Sequence, residues 1–157
     1  MLLSAGLRIG TKAFQQAVVQ LQMAQEGICA AGAPPDCVLV CDRGTVDSLA
    51  YWRLSGWEER DFYAVTGMGL AEHLDRYFGV IHLQSAAIGA EACYRRWPEA
   101  VRRERLEQAA RIDALCGEVW SAHPRYVLID NAGRDWRDKS RAAREVLAQW
   151  TGMVTPH

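Results

Sequence analysis

The sequence has no long hydrophobic run, no excess of either charge and no secretory pattern. A membrane-spanning helix needs about 20 consecutive apolar residues, and no stretch of the 157 residues approaches that length. The formal net charge is -1, so the chain as a whole offers no electrostatic footprint for nucleic acid. The first charge follows a very short apolar run, which is the wrong order and length for a secretory signal. We therefore expect neither a membrane nor a nucleic acid as partner.

Closely paired metal ligands are also lacking. The 5 cysteines include no C-x-x-C pair, and the 4 histidines include no H-x₃-H pair. A structural zinc site normally takes ligands in such pairs. We expect free, mostly buried thiols in a reducing environment and a cytoplasmic location.

Three short apolar segments predict the strands of a parallel sheet: Val38–Cys41, Gly79–Leu83 and Tyr126–Ile129. Helical patterns, not hairpins, separate them. Parallel strands need such long crossovers, which are almost always right-handed. The predicted fold is a single α/β domain over residues 1–157, with a three-layer arrangement of a parallel sheet and helices on both faces.

The helices are predicted from apolar residues that recur every three or four positions. Thr11 is a candidate N-cap of the first helix, and Asp135 of the last, with Asp138 three residues on. The face predicted to be buried on the first helix is Phe14, Ala17, Val18, Leu21, Ala24 and Ile28. Further helices are predicted over Val46–Arg53, Glu58–Val65, Leu70–Arg76, Arg103–Ala122 and after Asp135, where Trp136, Ala143, Val146, Leu147 and Trp150 form the buried face.

A turn rich in polar residues follows the first predicted strand. Asp42, Arg43 and Gly44 come directly after it, and Asp47 follows one helical turn later. Ligands of parallel sheets bind beyond the carboxyl ends of the strands. Asp42 could merely cap the turn and Arg43 pair with a surface carboxylate, since such residues are common in turns. Two carboxylates and a guanidinium at one sheet edge favour a functional site.

A basic segment follows the second predicted strand. Arginine suits phosphate because its guanidinium binds oxygens in a bidentate fork, and segments of this kind close over transferred phosphoryl groups. The alternative is a solvated helix face, with glutamates pairing at i,i+3 or i,i+4. Position at the same sheet edge favours phosphate binding by a lid-like segment over residues 88–105. Its arginines are Arg95, Arg96, Arg102, Arg103 and Arg105.

The loop after the third predicted strand runs from Asp130 to Asp135 and contains Asn131 and Gly133. A glycine-bearing loop at the carboxyl end of a strand can wrap a base or a ribose. It is also a common plain connection, which is the slightly favoured interpretation.

With these motifs in this order, the chain resembles the AAA-type P-loop ATPases that are similar to nucleoside and nucleotide kinases. The resemblance rests on the segment from Val38 to Tyr51, continues through Val80–Leu83, Val101–Ala109 and His123–Asn131, and ends at Lys139. It implies a Mg-ATP-binding fold and a small-molecule acceptor. Asp42 would hold magnesium as the Walker-B-like acid, and Asn131 would lie in the adenine loop. Arg43, Arg95, Arg96, Arg103 and Arg105 would contact the nucleotide, with Asp47 and Arg102 as catalytic residues.

One departure from that family is large. No G-x-x-x-x-G-K-[ST] segment occurs, and Lys12 follows Thr11 where the family has a glycine-rich turn. We expect a member without its first two strands, inactive as given because the amides that cradle phosphate are absent. An ATPase or phosphotransferase would result if they were restored. The alternative is a non-enzymatic descendant that binds a protein partner or a second copy through an exposed apolar surface.

Overall fold

The computed structural model describes residues 10–94 and 105–152. The chain divides into two compact units, Met1–Tyr77 and Phe78–His157, and each is described by itself. In chain order the elements are α1 (Lys12–Gly32), α2 (Thr45–Leu54), α3 (Glu59–Thr66), α4 (Leu70–Asp75), β1 (Val80–Leu83), α5 (Glu91–Tyr94), α6 (Leu106–Trp120), β2 (Tyr126–Ile129) and α7 (Trp136–Thr151).

The first unit packs α1, α3 and α4 around α2. Seven of the ten residues of α2 are buried, so this short helix is the centre of the unit. Its core is apolar and aromatic, with Trp52 in edge-to-face contact with Phe62 at a centroid distance of 5.7 Å. The fully buried apolar side chains are Val19, Val46, Leu49, Ala50, Trp52 and Phe62.

The helix ends follow the local chemistry of the sequence. The Thr11 hydroxyl accepts a hydrogen bond from the Phe14 amide at 3.2 Å, which confirms the predicted N-cap of α1. Gly67 has φ 69° and ends α3 in the left-handed conformation that glycine tolerates best. The Asp135 side chain accepts from the Asp138 amide at 2.9 Å, so the predicted cap of α7 is also confirmed.

The apolar face predicted for α1 is wrong in its C-terminal half. Leu21 is 42% exposed and Ile28 is 73% exposed. The helix instead turns Val19, Gln22 and Glu26 inward, and the last two make polar contacts described below. Hydrogen bonds therefore decide the orientation of this half of α1, and its apolar stripe is left open.

The predicted strand Val38–Cys41 is also wrong. The segment pairs with no strand among the described residues, and Val38, Leu39 and Val40 are 41%, 47% and 70% exposed. A strand needs neighbours that take up its backbone N–H and C=O groups. Because no strand lies beside the segment in the described part of the chain, it stays irregular.

The second unit contains a two-stranded parallel sheet. Val80 pairs with Tyr126 and Leu83 with Ile129, which confirms the parallel pairing of the second and third predicted strands. Backbone bonds extend the ladder, since the Gln84 amide donates to the Ile129 carbonyl at 3.0 Å. The described residues thus form an α/β structure with two parallel strands, and the three-layer sheet is not present among them.

Helix α7 packs against both strands. A Cβ at Gly79 would lie 2.5 Å from the Trp150 ring, so only glycine allows this close approach. Trp120 of α6 is buried, whereas Trp136 is 69% exposed. Trp136 is the first residue of α7, outside the stripe that faces the sheet, and its predicted burial is wrong.

Of the predicted lid-like segment 88–105, the structure describes the short helix α5 and Arg105, which is exposed beside the start of α6. Arg95, Arg96, Arg102 and Arg103 lie outside the described residues. Within the described ranges, no helix has the length and hydropathy to cross a bilayer.

Candidate functional site

The turn Asp42–Gly44 leads into α2 with an unusual backbone. Arg43 has φ 82°, which places a residue with a bulky side chain in the left-handed region. Its carbonyl accepts a hydrogen bond from the Gln22 side chain of α1 at 2.6 Å. Such strain persists only where surrounding contacts enforce it, and it gathers at functional sites. The side chain of Asp42 is exposed at this turn.

The buried carboxylate of Asp47 stabilises the same turn through hydrogen bonds. Its Oδ2 accepts from the Gly44 amide at 2.8 Å, so this carboxylate caps the N-terminus of α2. Its Oδ1 accepts from the Arg43 guanidinium at 3.3 Å. The carboxylate of Asp47 is therefore engaged by the residues that follow Asp42, and Asp42 presents the exposed carboxylate of the pair.

A buried polar network behind the turn was missed by the sequence reasoning. Tyr77 donates to the Glu26 carboxylate at 3.0 Å and accepts from the Thr45 amide at 2.7 Å. The Thr45 hydroxyl lies 2.9 Å from His73 Nδ1, and His73 Nε2 lies 3.0 Å from the Thr66 hydroxyl. These five residues are far apart in sequence, and no short motif indicates that they meet.

Burial decides the ionisation states in this network. It lowers the pKa of the fully buried His73 from the usual 6.5, so the neutral ring is favoured. A neutral His73 with its proton on Nε2 accepts from Thr45 and donates to Thr66, which satisfies both ring nitrogens. Burial also raises the pKa of Tyr77 to about 12. The neutral side chains of His73 and Tyr77 support the first residue of α2, and the Glu26 carboxylate of the network pairs with Arg76 at 2.8 Å.

Asn131 lies at the carboxyl end of β2 and is nearly buried. Its amide donates to the carbonyls of Ser85 and Ile88 at 2.8 and 2.7 Å. Its Oδ1 accepts from the ammonium of the buried Lys139 at 2.8 Å, and the same ammonium donates to the Gln84 carbonyl at 2.5 Å. Burial lowers the pKa of Lys139 from 10.5. Asn131 and Lys139 thus tie the segment after β1 to the loop after β2.

An open cavity of about 360 Å³ lies at this edge, beyond the carboxyl ends of both strands. Such a position is where parallel α/β sheets bind ligands, and the volume falls within the roughly 300–1,000 Å³ of small-molecule sites. Its lining residues are Gln84, Ile88, Gly89, Asp130, Asn131, Ala132 and Gly133.

A third polar group links α6 to the sheet. Asp113 Oδ1 lies 3.1 Å from His82 Nε2 and accepts from the Ser85 amide at 2.7 Å, while His82 Nδ1 lies 2.6 Å from the Tyr126 hydroxyl. All of these hydrogen bonds lie within the second unit. We interpret the group as a structural support that orients Ser85 beside the cavity.

The structure describes no preformed metal cage. Among residues 10–94 and 105–152, no group of three or more His, Cys, Asp or Glu could hold a metal ion. Magnesium needs less from the protein, because it is usually held by one or two carboxylates together with water and substrate phosphates. The exposed Asp42 carboxylate fits that requirement.

All five cysteines are free thiols, as expected, but only Cys116 is buried. Cys29, Cys37 and Cys93 are exposed, so the prediction that most of them are buried is wrong. Cys41 lies between these extremes, and burial raises the pKa of its thiol.

The fold first gives the class of the protein. It is an α/β protein with parallel strands and a cavity at their carboxyl ends. The family then follows from sequence comparison, since a family model described as AAA domain matches residues 7–139. The chain belongs to this family of AAA-type P-loop NTPases, and the resemblance drawn from the Asp42 motif is confirmed at that level. No curated protein and no solved structure matches the chain significantly.

Proposed function

We propose that the chain binds a nucleotide at the carboxyl edge of its parallel strands and, as given, does not hydrolyse it. The match of residues 7–139 to the AAA domain is the observation that carries this proposal, because the family is one of nucleotide-binding proteins. The cavity beside Asn131 in the second unit supports it, since it offers a place for a base. In the first unit, taken by itself, the exposed Asp42 offers a carboxylate for magnesium.

Of the residues at this turn, Asp42 and Arg43 are proposed to contact the ligand, and Asp47 is proposed to stabilise the turn. Asp42 would hold the magnesium of Mg-ATP, and the ion would supply charge that neutralises phosphate oxygens. The side chain of Arg43 is 64% exposed, so its guanidinium is accessible to a phosphate. Asp47 fixes the turn that carries both groups, and it is placed to orient an acceptor hydroxyl only if it leaves its bond to Arg43.

Phosphoryl transfer needs more than these groups. It depends on positioning and on neutralising charge around the β- and γ-phosphates. The successive backbone amides and the lysine of a phosphate-binding loop supply most of both, and the sequence contains no G-x-x-x-x-G-K-[ST] segment. Arg102 and its neighbours attract a nucleotide without giving it the required geometry. A kinase-like or ATPase reaction therefore requires such a phosphate-binding loop.

An ATPase assay tests the proposal that the chain as given does not hydrolyse ATP. The purified 157-residue chain is expected to release no phosphate from Mg-ATP above the buffer rate, and Asp42→Asn is expected to change nothing. In a version extended at its N-terminus by a phosphate-binding loop, Asp42→Asn should abolish hydrolysis. Magnesium-dependent hydrolysis by the chain as given, lost in Asp42→Asn, would show that it is a complete enzyme.

A second candidate function rests on exposed apolar groups of the first unit. Val40 and Ile28 are 70% and 73% exposed, and exposed apolar side chains mark protein interaction sites where they form one patch. The alternative is thus a non-enzymatic protein that pairs with a second copy through these residues. Sedimentation velocity tests it: concentration-dependent dimerisation lost in Val40→Lys supports it, and a monomer at all concentrations contradicts it.

A further inference from the structure

The two-stranded sheet of the second unit has two edges, and the hydrogen bonds between its strands show which backbone groups each edge presents. The amides of Val80 and Gln84 donate to carbonyls on the β2 side at 2.9 and 3.0 Å. Alternate residues of a parallel strand bond to the same neighbour, so the backbone groups of Ile81 and Leu83 point away from β2. Among the described residues, no other strand pairs with β1 and no hydrogen bond takes up these two amides.

The edge of β1 is less protected against the addition of a strand than the edge of β2. Charged residues beside an edge strand are a common means by which proteins prevent another chain from pairing with it. Strand β2 lies between Arg125 and Asp130, whereas β1 lies between Gly79 and Gln84, neither of which is charged. The outward backbone groups of β1 are therefore available to a further strand.

The segment Val38–Cys41 of the first unit is complementary to this edge. It has the same length as the four-residue strand β1, and the side chains of Val38, Leu39 and Val40 are apolar and exposed. Within the described ranges, none of its backbone groups has a hydrogen-bond partner. An extended segment that adds to an open edge gains main-chain hydrogen bonds and covers alternate side chains. The chain thus carries both an unpaired edge and an apolar segment that fits it.

We propose that Val38–Cys41 of one copy adds as a strand to the β1 edge of a second copy, in a reciprocal exchange that forms a twofold dimer. This inference rests on the second candidate function, pairing with a second copy, and names the surface that receives the apolar segment. Each copy supplies one segment and one edge, so both contacts form together and no β1 edge remains for a third copy. The dimer satisfies the amides of Ile81 and Leu83 and removes exposed side chains of the segment from water.

Amide hydrogen exchange, followed by NMR on the 157-residue chain at low and high concentration, tests the receiving edge. Where roughly nine-tenths of the chain is dimeric, the amides of Ile81 and Leu83 should exchange about tenfold more slowly than in the monomer. The amide of His82, which faces β2, should be unchanged, as should those of Tyr126 and Leu128, which point away from β1. Slower exchange at Tyr126 and Leu128 instead would overturn the choice of edge. Slow exchange of Ile81 and Leu83 at every concentration would overturn the exchange between copies.

Proline variants test the same edge through the dissociation constant of the dimer. Ile81→Pro removes an outward N–H and leaves the bonds to β2 in place, as edge strands tolerate. Because this hydrogen bond occurs twice in the dimer, its loss should raise the dissociation constant by about tenfold or more. Leu128→Pro is the matched control, since it removes an outward N–H from the opposite edge, and should leave the constant unchanged. Sedimentation velocity measures both variants. If Ile81→Pro does not fold, the hydrogen-exchange pattern of the unaltered chain decides.

The outcomes separate the strand exchange from the proposed function. A dimer that is lost in Val40→Lys but unchanged in Ile81→Pro, with no slowing of exchange at Ile81 and Leu83, would overturn the strand exchange and leave pairing through the apolar residues standing. A monomer at all concentrations would overturn both. Titration of ATP tests nucleotide binding independently of either result.

Discussion

Arg43 shows how contacts from distant residues hold a single residue in a strained conformation. Its backbone is in the left-handed region at φ 82°, held there by the Gln22 side chain and by Asp47. The sequence alone predicted that Arg43 and Asp47 lie near Asp42 from their spacing at the start of a helix, although the strand expected before them is not formed. It could not predict that Asp47 is engaged by the turn itself, because that depends on backbone angles that residue spacing does not reveal.

Replacing Arg43 tests the strain directly. Arg43→Gly and Arg43→Ala both remove the guanidinium, but only glycine adopts φ 82° without steric cost. We expect Arg43→Gly to be more stable than Arg43→Ala by about 1 kcal/mol, in the range for a strained non-glycine residue. Urea unfolding of the two variants measures the difference, and equal free energies of unfolding would show that the turn relaxes.

At the scale of helices and strands, neighbouring elements determine whether an apolar segment forms a strand, and the sequence pattern does not reveal those neighbours. Tyr126–Ile129 and Val80–Leu83 form strands as predicted because each has the other beside it. Val38–Cys41 has an equally apolar composition but no neighbouring strand among the described residues, so composition alone misled. The helices were predicted well, since capping and periodicity are local. The orientation of α1 was not, because it is set by contacts with Arg43 and Tyr77, far away in sequence.

The packing of α7 on the sheet depends on one missing side chain. A Cβ at position 79 would meet the Trp150 ring at 2.5 Å, so Gly79→Ala must displace the ring. We expect a loss of about 1–3 kcal/mol, as is usual for overpacking. Gly27→Ala is the matched control: it lies on α1 with open space around it, and should gain roughly 0.5–1 kcal/mol from helix propensity. Chemical denaturation of both variants measures these changes, and an unchanged Gly79→Ala would contradict the close contact.

The helices of the first unit share a pH dependence through His73. Its folded pKa is lowered from 6.5 by burial, so the unfolded chain takes up a proton first as pH falls. Stability should therefore be unaffected by this group well above its unfolded pKa and should decrease as pH falls through that pKa toward the lower folded pKa. Denaturant midpoints across that range measure the slope, and His73→Gln should flatten it although it lowers the absolute stability. The same slope in both proteins would assign it to other groups.

At the scale of the whole molecule, the chain combines a confirmed family with a sequence that contains no G-x-x-x-x-G-K-[ST] segment. The AAA domain match covers residues 7–139, and the described residues supply two parallel strands, a cavity at their carboxyl ends and an exposed Asp42. The family could be predicted from the Asp42 motif because that motif is contiguous. The supports of the cavity could not, because Asn131, Lys139 and Gln84 meet only in the folded chain.

Calorimetric titration of ATP into the 157-residue chain, with magnesium and with EDTA, tests nucleotide binding most directly. We expect weak binding at one site, strengthened by magnesium because Asp42 shares the ion with the phosphates. In Asp42→Asn the magnesium enhancement should disappear while the weaker, magnesium-independent binding remains. An absence of binding under both conditions, or a magnesium enhancement unchanged in Asp42→Asn, would contradict the proposed site.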